Sequence, residues 1–256
     1  GHYCTSGLDV MDYILSDATE TPEGEDQWFS ETVVRMPDGY VCYGPPDYAP
    51  DVSLLPALGK GYVTFGCYNN LAKINGQAML LWADILNRVP DSRLSLRTDI
   101  LDDEATAQRV YDRFQGLGIS PERITLAGKA PHEAFLGHYR EIDMALDPFP
   151  YSGGLTTCEA LWMGVPVISM AGETFAGRHS ASHLRNVGLD DWVVKTAGDY
   201  LSLAKKHSRD LEKLNRLRAS LRERMIKSPL CDGVRYTRDL EAVYRRMWRD
   251  WCNTVS

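Results

Sequence analysis

The feature that most constrains the fold is a regular alternation of short apolar runs and amphipathic segments that begins near residue 61. Short apolar runs bounded by turn residues predict buried strands, and apolar residues at helical spacing predict the helices between them. Because the connections are short, the strands must lie parallel, with helices on both faces. The sequence therefore predicts an α/β fold with a Rossmann-like parallel sheet. Strands are predicted at 62–66, 92–97, 124–126, 144–146, 167–170 and 192–194, and helices at 74–88, 104–117, 132–140, 156–163, 180–187 and 197–207.

The flanking regions have a different character. Residues 1–60 are rich in turns, with short predicted strands at 13–15 and 32–34 and a proline-rich linker that ends near residue 56. This stretch is too broken to form its own core, so we expect it to be the end of a preceding domain that packs on the rest. Two long helices, 211–227 and 236–251, carry Arg and Leu at helical spacing, and we interpret their charges as a solvated face.

Composition limits the classes of function. The net charge of −7 argues against a sequence-independent nucleic-acid binder. The six cysteines form no CxxC pair, so neither a zinc site nor a disulfide framework is expected, and free thiols favour a cytoplasmic protein. No apolar run approaches the 18 residues of a membrane span, so we expect no membrane partner. The chain opens on a glycine in a loop-like stretch, and we expect it to be an excerpt from a longer protein.

The stretch from residue 148 to 170 carries the strongest signal for a ligand. Its prolines break regular structure, and Gly153 and Gly154 then allow a ligand to approach the backbone before a helix begins. The unpaired N–H groups and the positive dipole end of such a helix favour a phosphate. Thr156 and Thr157 add hydroxyls there, and Glu159 adds a carboxylate that could hold sugar hydroxyls.

The same residues have a purely structural interpretation. Thr156-x-x-Glu159 fits a capping box, with Thr156 at the N-cap and Glu159 at the third helical position. The stretch is neither a Walker motif nor a GxGxxG motif. Its function must therefore be judged from the neighbouring loops.

Four loops follow predicted strands and must meet at one edge of the sheet. The first, 67–73, ends in Lys73, which could face a bound anion or be an ordinary surface lysine. The others are 127–132, the stretch beginning at 148, and 171–179. Each contains a cation, a glycine or a hydroxyl. Together they favour a nucleotide diphosphate more than any one of them does alone.

Other chemistries find less support. No GxSxG motif is present, and no GxGxxG motif follows a strand, so NAD is disfavoured. Asp143 and Asp147 are spaced four apart, and Asp102 and Asp103 fall in a turn. Neither pair makes a convincing metal site, so no metal is predicted.

Two segments carry a resemblance to a known family. They are FGCYNNLAK at 65–73 and PYSGGLTTCEALWMGVP at 150–166. Further matches occur at 5–13, 171–178, 228–230 and 244–248, so the resemblance spans nearly the whole chain. The chain resembles the catalytic region of the O-GlcNAc transferase/SPINDLY family, glycosyltransferase family 41, in its bacterial form.

This resemblance implies the carboxyl-terminal lobe of a GT-B glycosyltransferase. Residues 1–60 would end the amino-terminal lobe and form the linker, 61–230 would bind the nucleotide sugar, and 231–256 would cross back towards the amino-terminal lobe. Family members transfer a sugar from a nucleotide to Ser or Thr of proteins. They invert its configuration without a metal, and tetratricopeptide repeats usually precede the catalytic region. The donor is the only small molecule implied, and UDP-GlcNAc is favoured.

The resemblance also assigns roles to individual residues. Lys73 would be catalytic, by stabilising the leaving diphosphate. Asn70, Thr156 and Thr157 would lie near the phosphates, and Glu159 near the ribose. The remaining donor-binding residues would be Ala130, Pro131 and His132 at the base, with Gly153, Gly154 and Arg178 completing the pocket. Relatives often carry threonines at the positions of Gly154 and Leu155, and a histidine at the position of Phe135.

Three alternatives stay open at this stage. The donor could be GDP-fucose, as in SPINDLY-like members. The chain could be a nucleotide-sugar-binding module without turnover, because most of the amino-terminal lobe is missing. The acceptor could also be a glycan or a lipid, which upstream repeats would argue against.

Overall fold

The computed structural model describes residues 4–255, and the side chains up to residue 253. Its main feature is a sheet of six parallel strands, with a separate parallel pair formed near the start of the chain. The pair consists of β1 (Tyr13–Asp17) and β2 (Thr32–Met36). The six strands are β3 (Thr64–Cys67), β4 (Arg93–Arg97), β5 (Ile124–Ala127), β6 (Met144–Leu146), β7 (Val167–Met170) and β8 (Val193–Val194).

Helices connect these strands and cover both faces of the sheet. They are α1 (Ala57–Lys60), α2 (Gly76–Arg88), α3 (Glu104–Gly116), α4 (His132–His138), α5 (Leu155–Trp162), α6 (His179–Asn186), α7 (Ala197–Ser208), α8 (Leu211–Ile226) and α9 (Gly233–Val255). The predicted α/β fold is confirmed, and element ends differ from the prediction by a few residues.

The strand order β5-β4-β3-β6-β7-β8 places a switch point at the centre of the sheet. The chain builds outward from β3 through β4 to β5, and then returns to the other side of β3 with β6. In such sheets the loops after the two central strands diverge and leave a crevice at their carboxyl ends. The loops after β3 and β6 are the ones to which the sequence assigned Lys73 and the glycine pair.

The main core lies between the sheet and its helices. Phe65, Leu94, Met144 and Ile168 are fully buried. At Gly66 in β3, a Cβ atom would lie 2.5 Å from the Cδ1 atom of Ile142, so only glycine fits without movement.

Helix α2 buries one face against the core and leaves the other exposed. Asn75 caps it, accepting a hydrogen bond from the Ala78 N–H at 2.9 Å. Trp82 is fully buried, whereas Leu80, two residues earlier, is 54% exposed. Successive residues on a helix turn by about 100°, so a stripe centred on Trp82 places Leu80 on the opposite side.

The start of the chain packs on the last helix through a small second core. Val34 and Met36 of β2 contact Val243 of α9. The side-chain hydroxyl of Tyr236 on α9 donates to the Tyr40 carbonyl at 2.9 Å. The described residues of this stretch therefore pack on later parts of the chain. That residues 1–60 are the end of a preceding domain stays a prediction.

The segment 40–56, which we call the belt, has no regular secondary structure. Arg218 of α8 is fully buried and donates to the Ser53 carbonyl and the Ile142 carbonyl, both at 2.9 Å. Arg222 donates to the Pro50 carbonyl at 2.6 Å. The prediction that the α8 charges form only a solvated face is wrong for these two arginines, because they satisfy carbonyls that no ladder pairs.

The outer face of α9 remains exposed. Trp248 and Trp251 stack on each other with ring centroids 5.2 Å apart, and they are 63% and 46% exposed. Within residues 4–255, none of the helices is both long enough and apolar enough to cross a membrane.

Candidate functional site

Lys73 reaches across the switch point between the two central loops. After β3 the chain makes a short 3₁₀ turn, Leu71–Lys73, which Asn70 caps by accepting a hydrogen bond from the Ala72 N–H at 2.9 Å. The turn directs the Lys73 ammonium to the Ser152 carbonyl, 2.8 Å away, and over the Tyr151 ring, 3.9 Å from its centroid. Burial lowers the pKa of Lys73, and the nearby Asp147 carboxylate opposes that shift. The structure thus fixes a half-buried cation beside the glycine pair.

The α5 helix begins earlier than a capping box at Thr156 would require. Gly154 is the N-cap and makes no side-chain cap, so Thr156 is the second residue of the helix. Its hydroxyl donates to the Asn69 Oδ1 atom at 2.9 Å, and the Glu159 carboxylate contacts His132 instead of the backbone. The capping-box interpretation is therefore wrong. With glycine at the N-cap, the first N–H groups of α5 have no side-chain acceptor, and both polar side chains face the loops after β3 and β5.

Gly153 is needed for close packing, and Gly154 is not. A Cβ atom on Gly153 would lie 2.5 Å from the Thr157 Oγ1 atom and 2.9 Å from the Asp147 Oδ1 atom. The Gly153 N–H donates to that Asp147 oxygen at 2.7 Å. A Cβ on Gly154 would meet nothing within 4 Å. Gly153 therefore allows the loop to pack onto its support, while Gly154 lies on the open side.

Thr157 and Ser180 anchor the loop from beneath. Their hydroxyls are 2.8 Å apart, and the Ser180 hydroxyl also donates to the Gly153 carbonyl at 3.1 Å. Both residues are buried. Thr157 therefore holds the loop in place, while Thr156, one residue earlier, is partly exposed at the crevice.

Asp147 and Asp143 serve the fold. Asp147 accepts from the Ser169 hydroxyl at 2.6 Å and from Gly153, and burial raises its pKa to about 6. Asp143 accepts from the backbone N–H groups of Ala57 and Thr64 at 2.9 Å and 2.7 Å. The described part of the chain contains no group of three or more His, Cys, Asp or Glu side chains that could hold a metal ion.

His132 links the loop after β5 to α5. Its Nε2 atom lies 2.8 Å from the Glu159 Oε1 atom, and its Nδ1 atom lies 2.8 Å from the Tyr48 hydroxyl of the belt. Phe135 stacks on the same imidazole ring at 6.3 Å between centroids. Burial raises the pKa of Glu159, and the contact with His132 opposes the shift. Ala130 and Pro131 lie beside this group, Pro131 as the N-cap of α4.

Two clusters thus share one helix face. Thr156, with Asn69, belongs to the Lys73 side, and Glu159, with His132, belongs to the side of the β5 loop. The two α5 residues are three apart and so are neighbours on the helix surface. The structure brings together most of the residues that the sequence selected.

Arg178 is held apart from this group by other partners. Its guanidinium forms a two-pronged ion pair with Glu25, at 2.7 Å and 2.8 Å, and donates to the carbonyls of Gly172 and Glu173. Only 9% of its surface is exposed. These contacts shape the loop after β7 and join it to the start of the chain. Any contact of Arg178 with a donor stays a prediction.

Sequence reasoning missed several residues of the site. Asn69, and not Asn70, is buried and contacts Thr156, while the Asn70 side chain is used as a cap. Two adjacent asparagines gave no sign of which one would turn inward. Tyr151 and Tyr48 were also missed as contacts of Lys73 and His132. Tyr151 lies in the glycine-rich segment 150–166, which was the only signal available for it, because no sequence pattern links it to Lys73.

Solved structures share this architecture. A lysine-to-methionine mutant of the Thermobaculum terrenum O-GlcNAc transferase superposes with a TM-score of 0.92 at 40% identity, covering 99% of this chain and 48% of that chain. Sucrose-phosphate synthase from Thermosynechococcus elongatus, at 17% identity and a TM-score of 0.67, covers 95% of this chain and 60% of its own. The second likeness concerns the fold alone. The chain has the fold of one lobe of a GT-B glycosyltransferase.

Sequence comparison gives the family. The model of glycosyl transferase family 41 matches residues 55–240, and this chain belongs to that family. A tomato (Solanum lycopersicum) protein described as a probable UDP-N-acetylglucosamine–peptide N-acetylglucosaminyltransferase SPINDLY is 40% identical over 258 residues. The match covers 99% of this chain and 27% of the tomato protein. The chain thus spans about a quarter of that relative, and the predicted family resemblance is confirmed.

Proposed function

We propose that this chain forms the donor-binding lobe of a protein O-glycosyltransferase that transfers a sugar from a nucleotide to Ser or Thr. UDP-GlcNAc is the favoured donor. Family membership supports the class of reaction, and the names of the SPINDLY and O-GlcNAc transferase relatives support the donor and the protein acceptor. The chain spans only part of those relatives, so turnover belongs to the longer protein.

The observation that carries the proposal is the position of the Lys73 ammonium. It lies at the switch point, 2.8 Å from the Ser152 carbonyl, where the loop leads into the first turn of α5. A diphosphate in this crevice would meet the cation and the first N–H groups of α5, and it would replace Asn69 as the acceptor of the Thr156 hydroxyl proton. All three favour negative charge.

The chemistry follows from these contacts. The acceptor hydroxyl oxygen forms a bond to the anomeric carbon as the bond from that carbon to the β-phosphate oxygen breaks. The bonding electrons stay on the phosphate, and the hydroxyl proton passes to a base. Lys73 stabilises the charge that grows on the leaving diphosphate, which lowers the barrier because this charge is larger in the transition state. We propose that this cation removes the need for a metal ion.

The other end of the donor would occupy the crevice between α5 and the loop after β5. Glu159 is buried beside His132 and could accept hydrogen bonds from ribose hydroxyls. We expect the backbone of Ala130 and Pro131 and the edge of the His132 ring to contact the nucleobase. Because Tyr48 holds the second nitrogen of His132, the belt contributes to the shape of this end.

Acceptor and compartment complete the proposal. Proteins are the proposed acceptors, without nucleic acid or membrane. All six cysteines are free thiols, which suits a reducing cytoplasm. The upstream tetratricopeptide repeats that the resemblance implies would select the protein acceptor.

Calorimetric titration with UDP, UDP-GlcNAc, GDP and GDP-fucose tests the donor assignment. Lys73→Ala should weaken UDP binding by about 10- to 100-fold, the loss expected for a hydrogen bond to a charged group. Thr156→Val should weaken it by about threefold to tenfold, while Thr156→Ser should retain most of the affinity.

A matched control is Lys60→Ala. Lys60 also donates to a backbone carbonyl, that of Glu141 at 3.0 Å, but it lies before β3, at the opposite edge of the sheet. Its loss should change UDP affinity less than twofold. Equal affinity of wild type and Lys73→Ala for UDP would refute the proposed site. Preference for GDP and GDP-fucose, with the Lys73 effect retained, would keep the site and replace the donor.

A further inference from the structure

A second recess lies between α7 and α8, away from the loops at the switch point. It has a volume of about 430 Å³, within the range of small-molecule sites. Its floor is apolar, built from Trp192, Leu203 and Leu217. Four cationic side chains and one carboxylate line its rim, in a chain whose net charge is −7. The charged side chains are Lys206, Lys213, Arg216, Arg224 and Asp191.

The α8 cations are in register. Positions 213, 216, 220 and 224 recur every three or four residues, so Lys213, Arg216 and Arg224 share one helix face with Ser220. Lys206 approaches from the last turn of α7, across the recess. Within the described part of the chain, Arg216 is the only one of these cations in an ion pair, with Glu212 at the long distance of 3.8 Å. The four cations therefore outnumber the one carboxylate, Asp191, that lines the recess.

A histidine in the recess adds a further group that could bond an anion. His207 lines the recess, and only 8% of its surface is exposed. It stacks on Trp192 with ring centroids 4.2 Å apart. Neither of its ring nitrogens forms a hydrogen bond with the described residues, and neither is among the side-chain atoms that are shut off from solvent without a partner. A ring N–H could therefore donate to an anion in the recess.

We propose that this recess binds a small dissolved molecule through a phosphate or pyrophosphate group. Several cations around one small cavity match a multiply charged anion, and a single carboxylate would leave most of them uncompensated. The apolar floor strengthens each contact by excluding water. The site is separate from the donor crevice and does not depend on the function proposed for that crevice.

His207 also provides a direct signal of binding. Burial lowers its pKa to about 4, with further lowering by Lys206 and Lys213, while Asp210 and Asp191 oppose the shift. Arg216 and Arg224 also face the recess. A bound dianion would favour the protonated imidazole and raise the pKa of His207.

The test is a titration of the protein with sodium pyrophosphate at constant ionic strength, followed by calorimetry and by NMR of the histidine ring protons. His207→Gln identifies the signal. We expect saturable binding and a rise of at least about one unit in the pKa of His207. Lys206→Ala and Arg216→Ala should each weaken binding about fivefold, as for exposed charge pairs.

Controls separate this site from its alternatives. Lys205→Ala removes the neighbouring lysine, which does not line the recess, and should change the affinity less than twofold. Lys73→Ala should leave the His207 response intact, even if the donor crevice no longer binds. Equal losses in Lys205→Ala and Lys206→Ala, or an unchanged His207 signal at saturation, would overturn the proposal. Binding to vesicles of anionic phospholipid without binding to pyrophosphate would also overturn it.

Discussion

Glu20 offers a sharp test of the electrostatics at the junction between the chain start and the lobe. Its side chain is fully buried, and its Oε1 atom lies 2.7 Å from the His179 Nδ1 atom. Burial raises the pKa of Glu20 to about 10, helped by the Asp17 carboxylate and opposed by Arg178. Burial also lowers the pKa of His179 to about 4. Both groups are therefore neutral at pH 7.

The sign of the pH dependence follows from this shift. Between pH 4.5 and about 10, Glu20 is ionised in the unfolded chain but protonated in the folded one. The folded state binds one more proton, so its contribution to stability falls by about 1.4 kcal/mol per pH unit. Glu20→Gln keeps the size of the side chain but has no group that titrates in this range. From pH 6 to pH 8, the variant should gain about 2.7 kcal/mol relative to wild type.

Urea unfolding of both proteins at pH 6, 7 and 8 measures this difference, and titrations common to the two proteins cancel. Glu31→Gln is the control. Hydrogen bonds from Ser6 and Thr5 lower the pKa of Glu31 to about 2, so Glu31 is ionised throughout this pH window. The difference in unfolding free energy between Glu31→Gln and wild type should therefore not change with pH. A difference between Glu20→Gln and wild type that changes by less than about 0.5 kcal/mol from pH 6 to pH 8 would refute a neutral Glu20.

Three further outcomes are expected. Gly153→Ala should lower stability by about 1–3 kcal/mol, because its Cβ would overlap the Thr157 and Asp147 oxygens. The control Gly116→Ala lies in open space and should be neutral or stabilising. Equal midpoints of the two variants in thermal unfolding would contradict the packing argument. Arg218→Met should lower the free energy of unfolding in urea by about 3–5 kcal/mol, since it leaves buried carbonyls unpaired. The control Arg209→Met, at an exposed arginine, should lower it by less than about 0.5 kcal/mol. Similar losses in the two variants would count against the belt contacts. Tyr48→Phe should weaken UDP binding, measured by calorimetry, by about twofold to tenfold, because it loses the hydrogen bond to His132. An unchanged affinity would show that Tyr48 does not shape the pocket.

The sheet and its loops were predictable because their causes are local. Apolar runs and short connections determine a parallel sheet, and the carboxyl ends of its strands determine where ligand loops meet. Lys73 and the residues from Gly153 to Glu159 were found for this reason. The family resemblance added their roles, which spacing alone could not supply.

The remaining details depend on partners distant in the chain. Glu25 engages Arg178 across 153 residues, and Tyr48 contacts His132 across 84. No local pattern encodes such pairs. The capping-box error has a similar origin, because the Asn69 amide and the His132 ring are the partners that Thr156 and Glu159 have in place of the helix backbone. Tertiary contacts, and not the local motif, therefore determine the hydrogen-bond partners of these two side chains.

The ion pair between Glu25 and Arg178 has a consequence for recombining this lobe with its relatives. Arg178 is 91% buried, and its other described partners are backbone carbonyls, including that of Glu20. A chimera that took residues 4–36 from a parent without an acid at position 25 would enclose a cation with no counter-charge. Such burial is costly. Crossover points should therefore keep residues 20–25 and 172–178 from one parent, since the ion pair makes the stability of each segment depend on the other.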